Sequence, residues 1–329
     1  MVFAFSCDQP QISSITGQLD APDDLIVTTD SIYFSETLTT ASLNKMPLAG
    51  GKPARIVSDL PEFIRGSVTA DESALYWFSI ESDGGSPSGA LFTARLDGND
   101  AGVLAHIPDQ YGPIVGSVSG GHLFANAGRL YWAARDNLWS LGVNGGTPTS
   151  LYEYAPEPDA GTGSRFSIVS VDARGIYFLD DTELKFTPLI GGAATVAVPT
   201  LPYVGVADVT VTPTHAYWSS TGLAGSVVRA PLTGVEGTET VFQQDGIALH
   251  GVTEIASEGE NVCFITIDIQ LNTNAVQCLR GDKAIGIAEG AGRRFYGLQV
   301  HQGFAWFFST NTGSTTAALF KVDINGTAK

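Results

Sequence analysis

Between Ser167 and Pro199 the chain alternates apolar and polar residues in four short runs, SIVSV, GIYFL, LKFTPL and ATVAV. The breaks between them (DARG, DDTE and IGGA) carry Asp and Gly, residues that turns favour. A period of two puts successive side chains on opposite faces, so each run reads as a strand that packs through one or both faces. Four such runs joined by tight turns predict a four-stranded antiparallel meander.

The same unit recurs along the chain. An apolar core marks the second strand of each copy: Ile32-Tyr33-Phe34, Leu75-Tyr76-Trp77, Leu130-Tyr131-Trp132, Ile176-Tyr177-Phe178, Ala216-Tyr217-Trp218, Val262-Cys263-Phe264 and Ala305-Trp306-Phe307. Their middle residues lie 43, 55, 46, 40, 46 and 43 positions apart, which fits propeller blades of ~40–50 residues. A third strand then runs into a Gly turn, as in LNKMPLAGG from Leu43, LFTARLDGN from Leu91, LWSLGVNGG from Leu138 and LKFTPLIGG from Leu184. Fourth strands follow in the first six copies: ARIV, GVLAHI, TSLYEY, ATVAV, ETVF and AIGIA. The seventh copy has none, while Val2–Ser6 alternates as fourth strands do. The pattern therefore predicts a single all-β domain over 1–329, a seven-bladed β-propeller with four-stranded antiparallel blades. The expected blades are 21–60, 61–108, 115–155, 160–199, 203–243, 247–289 and 295–326 plus 1–7, with the amino-terminal strand pairing on Leu319–Ile324 to close the ring.

These cores, together with the Leu96-Asp97-Gly98 turn, resemble the YWTD-type propeller repeats of receptor ectodomains. They are similar also to bacterial secreted repeat proteins with (V/I)YW…PL.GG.P units. The resemblance spans nearly the whole chain and implies a propeller. It rests on structural residues, so it carries fold and not function. YWTD propellers have six blades, whereas this sequence has seven units.

Composition supports an all-β reading: 38 Gly, 16% charged residues, and no long run of helix formers at helical spacing. The net charge of −17 repels phosphate backbones, and Arg293-Arg294 is the one basic cluster, which argues against nucleic acid as a partner. No apolar stretch approaches the ~18 residues of a membrane-spanning helix. Cys263 and Cys278 fall on adjacent strands of one hairpin. Directly opposed, they form either a disulfide, which marks an oxidising compartment, or two buried thiols. Cys7 follows Ala4-Phe5-Ser6 and is a lipid-anchor candidate, although bulky Phe5 suits that motif poorly.

Nine residues before each core lies the expected channel mouth, occupied by Asp24, Ser67, His122, Ile168, Asp208, Glu254 and Gly297. Asp24, His122, Asp208 and Glu254 are candidate ligands for a divalent cation, and an oxygen-rich set suits calcium or magnesium. His122 and His250, on the long-loop face, are the candidate catalytic histidines. No nucleophile elbow or phosphate-binding Gly loop accompanies them. Asp109, Tyr111, Tyr203, Tyr296 and Arg293 are candidate ligand-binding residues near long connections, where exposed aromatics can stack on a sugar or anchor a peptide. The sequence thus points to an extracellular or periplasmic monomer that binds a protein, peptide or glycan without catalysis. The alternative is a metal-assisted lyase or lactonase at the channel mouth.

Overall fold

The computed structural model describes residues 13–36, 41–60, 67–81, 88–107, 123–134, 137–153, 166–180, 183–199, 201, 206–220, 225–234, 237–244 and 250–325. They form seven antiparallel sheets and no helix. Blade 1 comprises Pro22–Val27, Ser31–Glu36, Ala41–Pro47 and Ala54–Leu60; blade 2, Thr69–Ala70, Ala74–Glu81, Ser88–Arg95 and Gly102–Ile107. Blade 3 comprises Phe124–Asn126, Arg129–Ala134, Asn137–Gly142 and Thr149–Glu153; blade 4, Phe166–Val171, Ile176–Asp180, Glu183–Thr187 and Thr195–Val198. Blade 5 comprises Val206–Val211, His215–Ser220, Ser226–Pro231 and Glu239–Gln243; blade 6, His250–Glu258, Asn261–Asp268, Thr273–Arg280 and Lys283–Ala291. Blade 7 comprises Arg293–His301, Phe304–Asn311 and Thr316–Asp323, completed by Ser13–Ser14 and Leu19–Asp20. First strands of neighbouring blades pack together from blade 2 round to blade 1, so they are the inner strands of a ring.

The apolar triplet of each second strand explains the ring. Its middle residue faces the next blade and its two flanking residues face the previous one, as strand alternation demands. Tyr33 of blade 1 meets Leu75 and Trp77 of blade 2. Tyr76 meets Leu130 and Trp132, Tyr131 meets Ile176 and Phe178, and Tyr177 meets Ala216 and Trp218. Tyr217 meets Val262 and Phe264, and Cys263 meets Ala305 and Phe307. Trp306 meets Ile32 and Phe34, which returns to blade 1. Seven copies of one interface therefore close the circle. Their burial is nearly complete: Trp77, Trp132 and Phe307 are 0% exposed.

The amino-terminal segment completes the last blade, as the alternation pattern implied, but with different residues. Ser13 pairs with Lys321, Ser14 with Phe320, Leu19 with Ala317 and Asp20 with Thr316. These contacts occupy the edge that Val2–Ser6 was expected to fill; residues 2–6, like Cys7, lie outside the described residues. A four-residue arch separates the two pairings, and there the Leu319 N–H donates to the Thr16 hydroxyl instead of to a carbonyl. Gly50 fixes the position of the arch. Its φ is +88°, and a Cβ there would lie 2.6 Å from the Ile15 carbonyl oxygen, so glycine is needed both for conformation and for contact. Gly191 sits in the same way on Leu151, the outer strand of the blade before it. Ile15 thus takes the place of an outer strand for blade 7.

Cys263 and Cys278 are directly opposed in blade 6 and form a disulfide, which resolves the alternative left open by the sequence. Both are buried, within the cluster between blades 6 and 7.

Two outcomes follow. Trp132→Ala removes a fully buried ring from the interface of blades 2 and 3 and is expected to destabilise the protein by about 3–5 kcal/mol in chemical denaturation. Cys263→Ala/Cys278→Ala opens a link with a sequence separation of 15. It is expected to cost about 3 kcal/mol, with reductant lowering the thermal midpoint of the parent and leaving the double variant unchanged.

Candidate functional site

The inner strands are irregular at the height where the sequence placed a channel mouth. Their pairing with the second strand skips between Pro22 and Leu25, Ile168 and Ser170, Val206 and Val209, Val252 and Glu254, and Tyr296 and Gln299. A bulge re-aims the side chains beside it. Here it turns carboxylates along the ring, toward the next blade. Asp208 of blade 5 accepts the Ile255 N–H of blade 6 on Oδ2 at 2.9 Å and its neighbour's Val209 N–H on Oδ1 at 2.8 Å. Glu254 of blade 6 accepts the Leu298 N–H of blade 7 on Oε2 at 2.8 Å. At the next junction the amide of Gln299 does the same work. It accepts the Val27 N–H at 3.0 Å and donates to the Leu25 carbonyl of blade 1. Asp24 accepts a hydrogen bond from the Ser35 hydroxyl within its own blade, at 3.1 Å.

These groups sit in a poorly hydrated wall. Asp208 is half-buried at its surface but lies deep among protein atoms. That burial pushes its carboxyl up to about 7, against the lowering effect of the Ile255 and Val209 amides, and the charge of Glu254 adds to the rise. Burial likewise raises Glu254, partly offset by the Leu298 and Gly297 amides and by Arg294, while Asp23 pushes it further up. Tyr296 is pushed up to about 12 by burial and by Asp23.

Asp109, Tyr111, His122 and Tyr203 lie outside the described residues. His250 is the first residue of the inner strand of blade 6. Tyr296 and Arg293 belong to the inner strand of blade 7 and not to a connection, because the strand begins right after Gly292. Tyr296 packs on Phe308 with ring centroids 5.4 Å apart, and Arg294 lies 5.7 Å above the Tyr296 ring. Arg293 donates from Nε to the Ser309 hydroxyl at 2.8 Å and covers Phe320. Among the described residues no group of three or more His, Cys, Asp and Glu side chains is placed to hold a metal ion. Through the Ile255 and Leu298 amides, Asp208 and Glu254 fasten one blade to the next. The bulge hid this from sequence: counting residues finds the position but not the direction of the side chain.

One surface feature escaped the sequence reading. The turn between the second and third strands of blade 6 exposes Ile269 at 57% and Leu271 at 71%. It lies on the face where connections between blades emerge, since the Gly292 N–H of the connection into blade 7 donates to the Asn272 carbonyl at 2.7 Å. The Thr312 N–H of the next blade's turn then donates to the Gly292 carbonyl at 3.0 Å. The signal was present in the chain, as two large aliphatics in a turn.

No protein-family profile matches this sequence, and comparison with curated proteins finds no relative. Solved structures do match in fold. BamB from Moraxella catarrhalis is similar at 12% identity with a TM-score of 0.57, covering 94% of this chain and 100% of that one. A prolyl endopeptidase, studied for the role of inter-domain dynamics in catalysis and specificity, is similar at 12% identity with a TM-score of 0.55. That match covers 89% of this chain and 47% of the endopeptidase, so this chain spans about half of its length. At such identity the likeness shows the propeller fold alone, and the YWTD family is not confirmed.

With Asp208 and Glu254 engaged by backbone amides and Asp24 by the Ser35 hydroxyl, stripping divalent ions with a chelator is expected to shift the thermal midpoint by less than about 1 °C. A clear drop on chelation, reversed by calcium or magnesium, would overturn this assignment.

Proposed function

We propose that this propeller is a non-enzymatic binding or scaffold protein of an oxidising compartment, extracellular or periplasmic. Its partner is a protein or peptide, engaged on the face where connections between blades emerge. The observation that carries the reading is the exposed pair Ile269 and Leu271 on that face. Large aliphatics held out in water by a rigid hairpin are the kind of anchor that interfaces desolvate. The disulfide in blade 6 supports the compartment, since such bonds persist where thiols are not kept reduced. The fold's likeness to BamB is consistent with a binding or scaffold role and to that extent supports the reading. Against catalysis stands the engagement of Asp208 and Glu254 with backbone amides.

The test is a peptide array and a glycan array probed with the parent protein and with Ile269→Ser/Leu271→Ser. Both changes lie in an exposed turn, so the thermal midpoint should stay within about 1 °C of the parent. A peptide signal that falls about tenfold or more in the variant fits the reading, as one lost anchor worth ~1.4 kcal/mol would produce. Peptide binding that survives both substitutions, or binding to glycans alone, would overturn it.

A further inference from the structure

We propose that the junctions joining blades 5, 6 and 7 form a proton-operated latch, in which Asp208 and Glu254 hold neighbouring inner strands more firmly in mild acid than in mild alkali. Three successive junctions use a side chain of the inner strand to hold a backbone N–H of the next: Asp208 on Ile255, Glu254 on Leu298 and Gln299 on Val27. The bond is the same; the charge differs. Gln299 is neutral at every pH and adds a second hydrogen bond by donating to the Leu25 carbonyl. Asp208 and Glu254 do the same work as acids in a wall that disfavours their charged forms.

The charges that face them reinforce the asymmetry. Asp208 faces Glu254, and its other close partners are the Val209 and Ile255 amides. Glu254 faces Arg294 and Asp23, together with the Leu298 and Gly297 amides. Tyr296, between blades 7 and 1, faces Asp23, Arg294 and Glu254. Among the described residues, one arginine thus stands against three carboxylates. Protonating one carboxyl relieves repulsion among the rest and removes a charge from a poorly hydrated site, while the oxygen can still accept its amide hydrogen bond.

The sign follows from linkage. Asp208 titrates near 7 in the folded ring and near 3.8 when the chain is unfolded, so the folded state binds more protons between these values. Its contribution to stability is fully present below about 4 and is lost as pH rises through about 7. Glu254 is shifted in the same direction and adds to the same trend.

The experiment measures thermal unfolding from pH 5 to pH 8.5 for the parent, Asp208→Asn, Glu254→Gln and the double variant. Amide hydrogen exchange of the parent is followed over the same range. The parent midpoint should fall by several degrees from pH 5 to pH 8, and the double variant should flatten that slope. Glu254→Gln copies the chemistry already present at Gln299, so it should fold even if Asp208→Asn does not. Exchange at Ile255 and Leu298, corrected for its intrinsic pH dependence, should quicken about tenfold at pH 8 while amides of blades 2 and 3 stay unchanged. A parent midpoint that is flat or rises over this range would overturn the latch. An unaltered slope in the double variant, or exchange that quickens equally in all blades, would do the same.

Discussion

The structure depends on one constraint, the opposed facing of neighbouring residues in each second strand. Because side chains alternate, a three-residue core can serve two interfaces at once: its centre reaches forward and its flanks reach back. Tyr131 illustrates this, packed against blade 4 while Leu130 and Trp132 on either side pack against blade 3's other neighbour. A slip of one residue would exchange the two faces and spoil both interfaces together. The ring is therefore fixed in register by the same residues that fill it. Blade 6 varies the theme. Cys263 stands where five other blades carry Tyr, and its disulfide to Cys278 lies within the cluster between blades 6 and 7.

That constraint is why so much of the fold was legible. A period of two and an apolar triplet are visible in the chain itself, and every outer strand named from sequence in blades 1–6 is an outer strand of the structure. What escaped is what depends on contacts distant in sequence. Val2–Ser6 alternates convincingly, yet the edge of the last blade is taken by 13–20. The reason is that Thr16 accepts a hydrogen bond from the Leu319 N–H and Ile15 seats Gly50, contacts spanning nearly the whole chain or joining neighbouring blades. No local pattern encodes them.

At the channel mouth the limit is a different one: spacing along the chain carries no side-chain direction. Counting back nine residues reached Asp208 and Glu254, but the bulges there insert residues that leave no mark on the hydrophobic pattern. A regular strand would send every second side chain toward the axis; the bulged strand sends these carboxylates sideways onto an amide of the next blade. Convergence on an axis is what a cation would need. Fastening one blade to the next is what the described geometry provides, and Gln299 shows that the fastening itself needs no charge.

Since the repeats account for the triplets, the Gly turns and the inner fasteners, distinctive chemistry must reside in what the repeats do not require. The turns between second and third strands give a direct comparison. In blade 7 that turn is Thr312-Gly313-Ser314-Thr315, polar throughout and closed by hydrogen bonds of Ser314 with Thr310 and Thr316 of the flanking strands. In blade 6 the corresponding turn carries Ile269 and Leu271, which point into water and belong to none of the buried clusters. Exposing two such side chains contributes nothing to closing the hairpin, because the Asp268 carboxylate already receives the Leu271 N–H and shapes the turn. The aliphatics gain stabilisation only when something else covers them. This difference between two neighbouring and otherwise equivalent turns is what the proposed contact surface rests on.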